Sequence, residues 1–91
     1  FTFTFVHALA MGATRSGMPY PQALESALDV LEGATALIRE TGEHPISLAS
    51  RVASPAGTTV EGLTALEEGG FSAAVIDAVS RAAHRATEFE S

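Results

Sequence analysis

Between a pair of prolines and a glycine lies the segment that most restricts how this chain can fold. After Pro19 and Pro21 the sequence QALESALDVLEGATALIRET runs to Gly42 with no further proline. Ala23, Leu24, Ala27, Leu28, Leu31, Ala34, Leu37 and Ile38 fall on overlapping i, i+3, i+4 ladders, and Val30 and Ala36 widen the stripe. That spacing predicts a long helix, opened by a proline tolerated at the first helical position and closed by Gly42. The stripe is apolar on more than one side, which calls for more than one neighbour. Gly33 at its centre costs about 1 kcal/mol of helix propensity, and close approach of another helix is the natural offset. The chain has 91 residues, 46% of them apolar, and no cysteine. It makes one small domain, with neither a disulfide framework nor a thiolate metal site. Association with a second copy is then the expected source of stability, and a compact monomeric bundle is the alternative.

The remaining segments extend the helical pattern. Residues 1 to about 16 repeat apolar side chains at Phe3, Val6, Ala10 and Ala13, with Phe5 and Leu9 alongside. Helical spacing is preferred there, although the alternating FTFTF start also reads as a short strand. Gly17 stands where a helix would end, ahead of Met18 and Pro19. Pro45 can open a short helix, ISLASRVA, and a loop, SPAGTT, follows. A fourth helix, VEGLTALEE, is closed by Gly69 and Gly70. A fifth begins near Phe71 or Ser72 and is expected to turn Val75, Ile76, Val79, Ala82, Ala83, Ala86 and Phe89 inward. Five helices joined by short loops, with no convincing strand pair, define an all-α domain over residues 1–91.

Charge and patterning exclude several classes of function. Net charge is −6, with five Arg and no Lys, a balance that does not suit phosphate neutralisation, so no nucleic-acid partner is expected. Arg81 and Arg85, followed by Glu88, read as a solvated helix face. The N-terminal FTFTFVHALAMGA lacks a basic n-region and is interrupted by Thr2, Thr4, His7 and Gly12, so neither a signal peptide nor a membrane span is expected. Absence of cysteine fits a cytoplasmic protein. The first residue is Phe, which implies further sequence upstream. Gly57 and Gly62 have the first spacing of a phosphate-binding loop, but Leu63 stands where lysine is required. No GxGxxG occurs, so these residues cannot supply a dinucleotide fingerprint. His7, His44 and His84 are far apart and form no metal pattern. Each is expected to be a capping or surface histidine, and His44, ahead of Pro45, is a candidate cap for the short helix.

The chemistry concentrates in Ser54-Pro55-Ala56-Gly57-Thr58-Thr59-Val60-Glu61. Thr58 and Glu61 have capping-box spacing, which places a helix start here. Backbone N–H groups at a helix N-terminus are unpaired and partly positive, so those of Gly57 to Thr59, with the Ser54 hydroxyl, could hold a carboxylate or phosphate. From spacing alone an ordinary capped helix, its hydroxyls serving only the backbone, is the preferred reading.

The stretch from Pro45 to Glu67 resembles the signature of pyrroline-5-carboxylate reductases, whose V-[ST]-S-P-G-G-T-T core precedes an Ala/Gly-Leu pair and a Leu-Glu pair. The likeness extends outward to HALAMGATRSGMP, to EGATALI, to Gly42–Pro45 and to LEEGGFSAAVIDAV, and covers essentially the whole chain without gaps. It implies a five-helix dimerisation domain that interlocks with a second copy, similar to the C-terminal domain of 6-phosphogluconate dehydrogenase. The family's N-terminal Rossmann domain for NADPH or NADH is not contained in these 91 residues. The implied substrate is pyrroline-5-carboxylate, whose imine carbon takes a hydride to give proline in a pocket at the dimer interface. By position, Ser54, Gly57 and Thr58 would hold the substrate carboxylate and Ala56 would shape the loop. Thr59 would hydrogen-bond the ring nitrogen and deliver or position a proton. This agrees with the anion site read from the helix start, and together they favour binding over a purely structural cap.

Two departures stand out. Ala56 occupies a position usually held by glycine, where a positive φ would strain it. His7 replaces a usual acidic residue. The resemblance therefore implies a homodimer, with higher assembly left open, whose isolated helical part is inactive without the nucleotide-binding half. The alternatives are a reductase-like module that kept the dimer and lost turnover, or a stand-alone domain binding a small carboxylate such as proline.

Overall fold

The structure, a computed structural model, describes residues 1–52 and 57–90. Five helices follow in chain order: α1 (Thr2–Arg15), α2 (Tyr20–Thr41), α3 (Pro45–Val52), α4 (Thr58–Glu68) and α5 (Phe71–Glu90). No strand occurs among the described residues, so the all-α class holds and the FTFTF start is helical from Thr2 onward. The chain divides into two compact units, Phe1–Leu48 and Ala49–Ser91, with the division inside α3.

In the first unit α1 packs against α2. Their contact is built on small side chains: Ala10, Ala23 and Ala27 are buried, with Leu48 of α3. Alanine adds only a methyl beyond the backbone, which allows two helix axes to approach closely. The turn between them is set by local chemistry. The N–H of Met18 donates to Ala13 O (3.1 Å) and that of Gly17 to Thr14 O (3.0 Å). This is the paired ending in which one residue must be left-handed, and Gly17 takes φ 110°. Pro19 then caps α2 and Pro21 falls in its first turn, where the missing N–H costs nothing. Tyr20 reaches back to α1, its hydroxyl lying 3.0 Å from His7 Nδ1.

In the second unit α4 packs against α5 across the Gly69–Gly70 turn. The Ser72 hydroxyl donates to Glu67 Oε1 at 2.8 Å, tying the start of α5 to the end of α4. Along α5, Arg81 pairs with Asp77, and His84 and Arg85 face Glu88. Arg85 also lies over the Phe89 ring at 4.6 Å. These groups are exposed, as a solvated face requires.

One expectation needs correcting. Val75, Ile76, Val79 and Phe89 do not turn inward in the single chain; they are 45%, 66%, 52% and 75% exposed. Neither α4 nor α5 contains a buried residue among those described, because two helices alone cannot surround an apolar face. At Gly33 the single chain leaves open space: a Cβ built there meets nothing within 4 Å among the described residues. Close packing in α2 falls instead at Ala23 and Ala27.

Candidate functional site

The candidate site begins where α4 begins. Gly57 caps the helix with φ 88° and ψ −4°. The first helical bond runs from the Glu61 N–H to Gly57 O, 2.8 Å. Thr58 is therefore the first helical residue and not the cap, so the expected capping box does not form. The reason is register. With Gly57 as cap, Glu61 lies four residues on, one beyond the position from which a side chain reaches back to the cap N–H. Glycine can turn the chain at a left-handed φ, which removes the need for a hydroxyl cap. The side chain of Thr58 is thereby freed from that role.

Four N–H groups, those of Gly57, Thr58, Thr59 and Val60, precede the first helical bond and have no acceptor within the helix. They carry the positive end of the α4 dipole. Thr58 is exposed, while Gly57 and Thr59 are half-buried. Two hydroxyls and a fan of N–H groups can accept one small anion and can donate a hydrogen bond to a neighbouring ring atom. Glu61 is the acidic residue of the first turn. Of the residues singled out in the sequence, Gly57, Thr58 and Thr59 come together here; Ser54 and Ala56 lie outside the described residues. Among those that are described, the left-handed conformation in this stretch is met by Gly57, and no residue other than glycine has positive φ.

The histidines take the roles expected of them. His44 Nδ1 accepts from the Ile46 N–H at 3.1 Å, and its carbonyl takes the first bond of α3 from Leu48 at 3.1 Å. His84 is a surface partner of Glu88. His7 does something sequence reasoning missed, meeting Tyr20 ring to ring at 5.8 Å as well as through the hydroxyl. The two are thirteen residues apart, and only the α1–α2 turn brings them together. Among the described residues no group of three His, Asp or Glu could hold a metal ion. No described helix is long and apolar enough to cross a membrane.

An all-helical domain with open apolar faces on its longer helices belongs to the class of domains completed by association. The chain belongs to the pyrroline-5-carboxylate reductase dimerisation family, whose sequence profile matches residues 1–89. It is 46% identical over 88 residues to pyrroline-5-carboxylate reductase 3 of Danio rerio, a match covering 97% of this chain and 31% of that protein. It is 44% identical over 81 residues to the pyrroline-5-carboxylate reductase of Escherichia coli, covering 89% of this chain and 30% of the relative. The Aquifex aeolicus enzyme of the same name is 41% identical over 86 residues, covering 94% and 32%. The chain thus spans about a third of the length of these relatives. Its fold is that of a Plasmodium falciparum pyrroline carboxylate reductase solved with NADP bound. There the TM-score is 0.82 at 23% identity, over 87% of this chain and 30% of that one.

Proposed function

We propose that this chain is the dimerisation and substrate-binding domain of a pyrroline-5-carboxylate reductase, which reduces 1-pyrroline-5-carboxylate to L-proline with NADPH or NADH. The observation that carries this reading is the start of α4, where a glycine cap frees N–H groups and hydroxyls for a small carboxylate. The homodimer is the arrangement that would cover the apolar faces of α2 and α5. These residues contain no GxGxxG with which to supply a dinucleotide fingerprint for the nicotinamide cofactor. It would bind elsewhere in the complete protein, and when bound it supplies a hydride.

What the chain's own residues would do follows from their chemistry. The N–H groups of Gly57 and Thr58, with the Ser54 hydroxyl, would hold the substrate carboxylate and fix the ring. Thr59 would donate a hydrogen bond to the ring nitrogen. As the imine carbon gains hydride, its π electrons move onto that nitrogen, so a donor there positions the atom that takes up a proton. Ala56, where the family usually has glycine, favours a second reading, a reductase-like dimer that has lost turnover.

The test is NAD(P)H oxidation with pyrroline-5-carboxylate by the complete native protein and its Thr59→Val and Thr59→Ser variants. Proton positioning of this kind contributes on the order of 100-fold. Thr59→Val should lower kcat by about that factor with folding intact, while Thr59→Ser retains most of it. Turnover unchanged by Thr59→Val would remove Thr59 from the mechanism. A folded dimer with no turnover at all would establish the second reading.

A further inference from the structure

The two hydrogen-bonded histidine rings of the first unit differ in how they respond to a proton. Between His7 and Tyr20 either partner can donate, since a neutral Nδ1 accepts from the hydroxyl and a protonated one donates to it. His44 has no such freedom. Its partner is the backbone N–H of Ile46, a group that only donates, so Nδ1 must be bare and the ring proton must sit on Nε2.

We infer that His44 is a proton-operated cap on α3, closing its first turn when neutral and releasing it when charged. Protonation replaces the acceptor with a second donor facing the Ile46 N–H, and it places a positive charge at the positive end of a helix dipole. Both effects act in the same direction. The sign is therefore fixed: the neutral ring accepts from the Ile46 N–H and the charged ring cannot, so the capped form is favoured at higher pH and lost as pH falls.

Several features make the consequence local and measurable. α3 has only eight residues, too few to persist on propensity alone, so its cap matters more than in a long helix. The next residue is Pro45, which lacks an N–H and leaves Ile46 as the first amide of the turn. His44 is exposed, so protons reach it without unfolding. The charged residues nearest it along the chain are Arg39 and Glu40 on the last turn of α2, Glu43 beside it, and Arg51 in the last turn of α3. The division between the two compact units falls within α3, so the helix opened by acid is the one that carries the chain from one unit to the next.

The experiment is done on the complete native protein by NMR. The nitrogen shifts of the His44 ring at pH 8 should show Nδ1 unprotonated and Nε2 protonated; the opposite tautomer would overturn the proposal outright. Hydrogen exchange of Ile46, Ser47 and Leu48, corrected for intrinsic rates, should lose about threefold to thirtyfold protection between pH 8 and pH 5.5, the range a helix cap is worth. His44→Asn, a cap that does not titrate, should flatten that dependence. Protection that is flat in the wild type, or that falls equally in His44→Asn, would mean His44 is not the switch.

Discussion

At the scale of single residues, Gly57 and Thr14 make opposite predictions. Gly57 holds φ 88°, yet a Cβ there would meet nothing within 4 Å among the described residues. The cost of Gly57→Ala is then conformational and not steric, about 1–2 kcal/mol, and Gly57→Asn should cost less because asparagine tolerates the left-handed region. Chemical denaturation of the three proteins would show this, and equal stability of Gly57→Ala would mean the turn had been relieved by its neighbours. The Thr14 hydroxyl, by contrast, is buried with no hydrogen-bond partner. Thr14→Val keeps the shape and removes an unsatisfied donor, so it should stabilise by up to about 1 kcal/mol. Destabilisation of that size would reveal a partner for the hydroxyl in the assembled protein. In the sequence Gly57 read as part of the SPAGTT loop and as an N–H donor; its role as the left-handed cap of α4 came from the structure. Nor was the orphaned Thr14 hydroxyl legible there, since satisfaction depends on what surrounds an atom.

Among elements, boundaries were readable where they rest on local chemistry. Gly17, Gly42 and Gly69–Gly70 end helices as their positions suggested, and His44 caps α3 through a bond two residues long in sequence. The start of α4 was misread by one position because two local devices compete there, a threonine cap and a glycine cap, and spacing alone cannot weigh them. Gly33 gives an element-scale prediction. It sits in mid-helix with open space around it in the single chain, so Gly33→Ala should strengthen α2 by about 1 kcal/mol of propensity. If thermal unfolding of the variant instead shows a loss accompanied by a weaker dimer, a helix of the second copy packs on Gly33. On α5 the Asp77–Arg81 pair is exposed, 58% and 83% at the two side chains. Asp77→Asn should therefore change stability by well under 1 kcal/mol.

For the molecule as a whole, the open apolar faces set the expectation. Val79 of α5 is 52% exposed in the single chain. In the proposed homodimer Val79→Glu would bury an unpaired charge, so sedimentation should show dissociation at concentrations where the parent is dimeric. A dimer indifferent to that change would place the interface elsewhere. Sequence by itself determined five helices and most of their ends, because helical period, proline and glycine act over a few residues. It could not tell which apolar residues a single chain buries. Periodicity marks the apolar side of a helix without naming what covers it, and Val75, Ile76 and Val79 read as core on that ground alone. Tertiary structure decided that Ala10, Ala23 and Ala27 form the α1–α2 contact and that His7 meets Tyr20. Those pairings depend on where a turn aims two helices, a property of three-dimensional packing that no local pattern records.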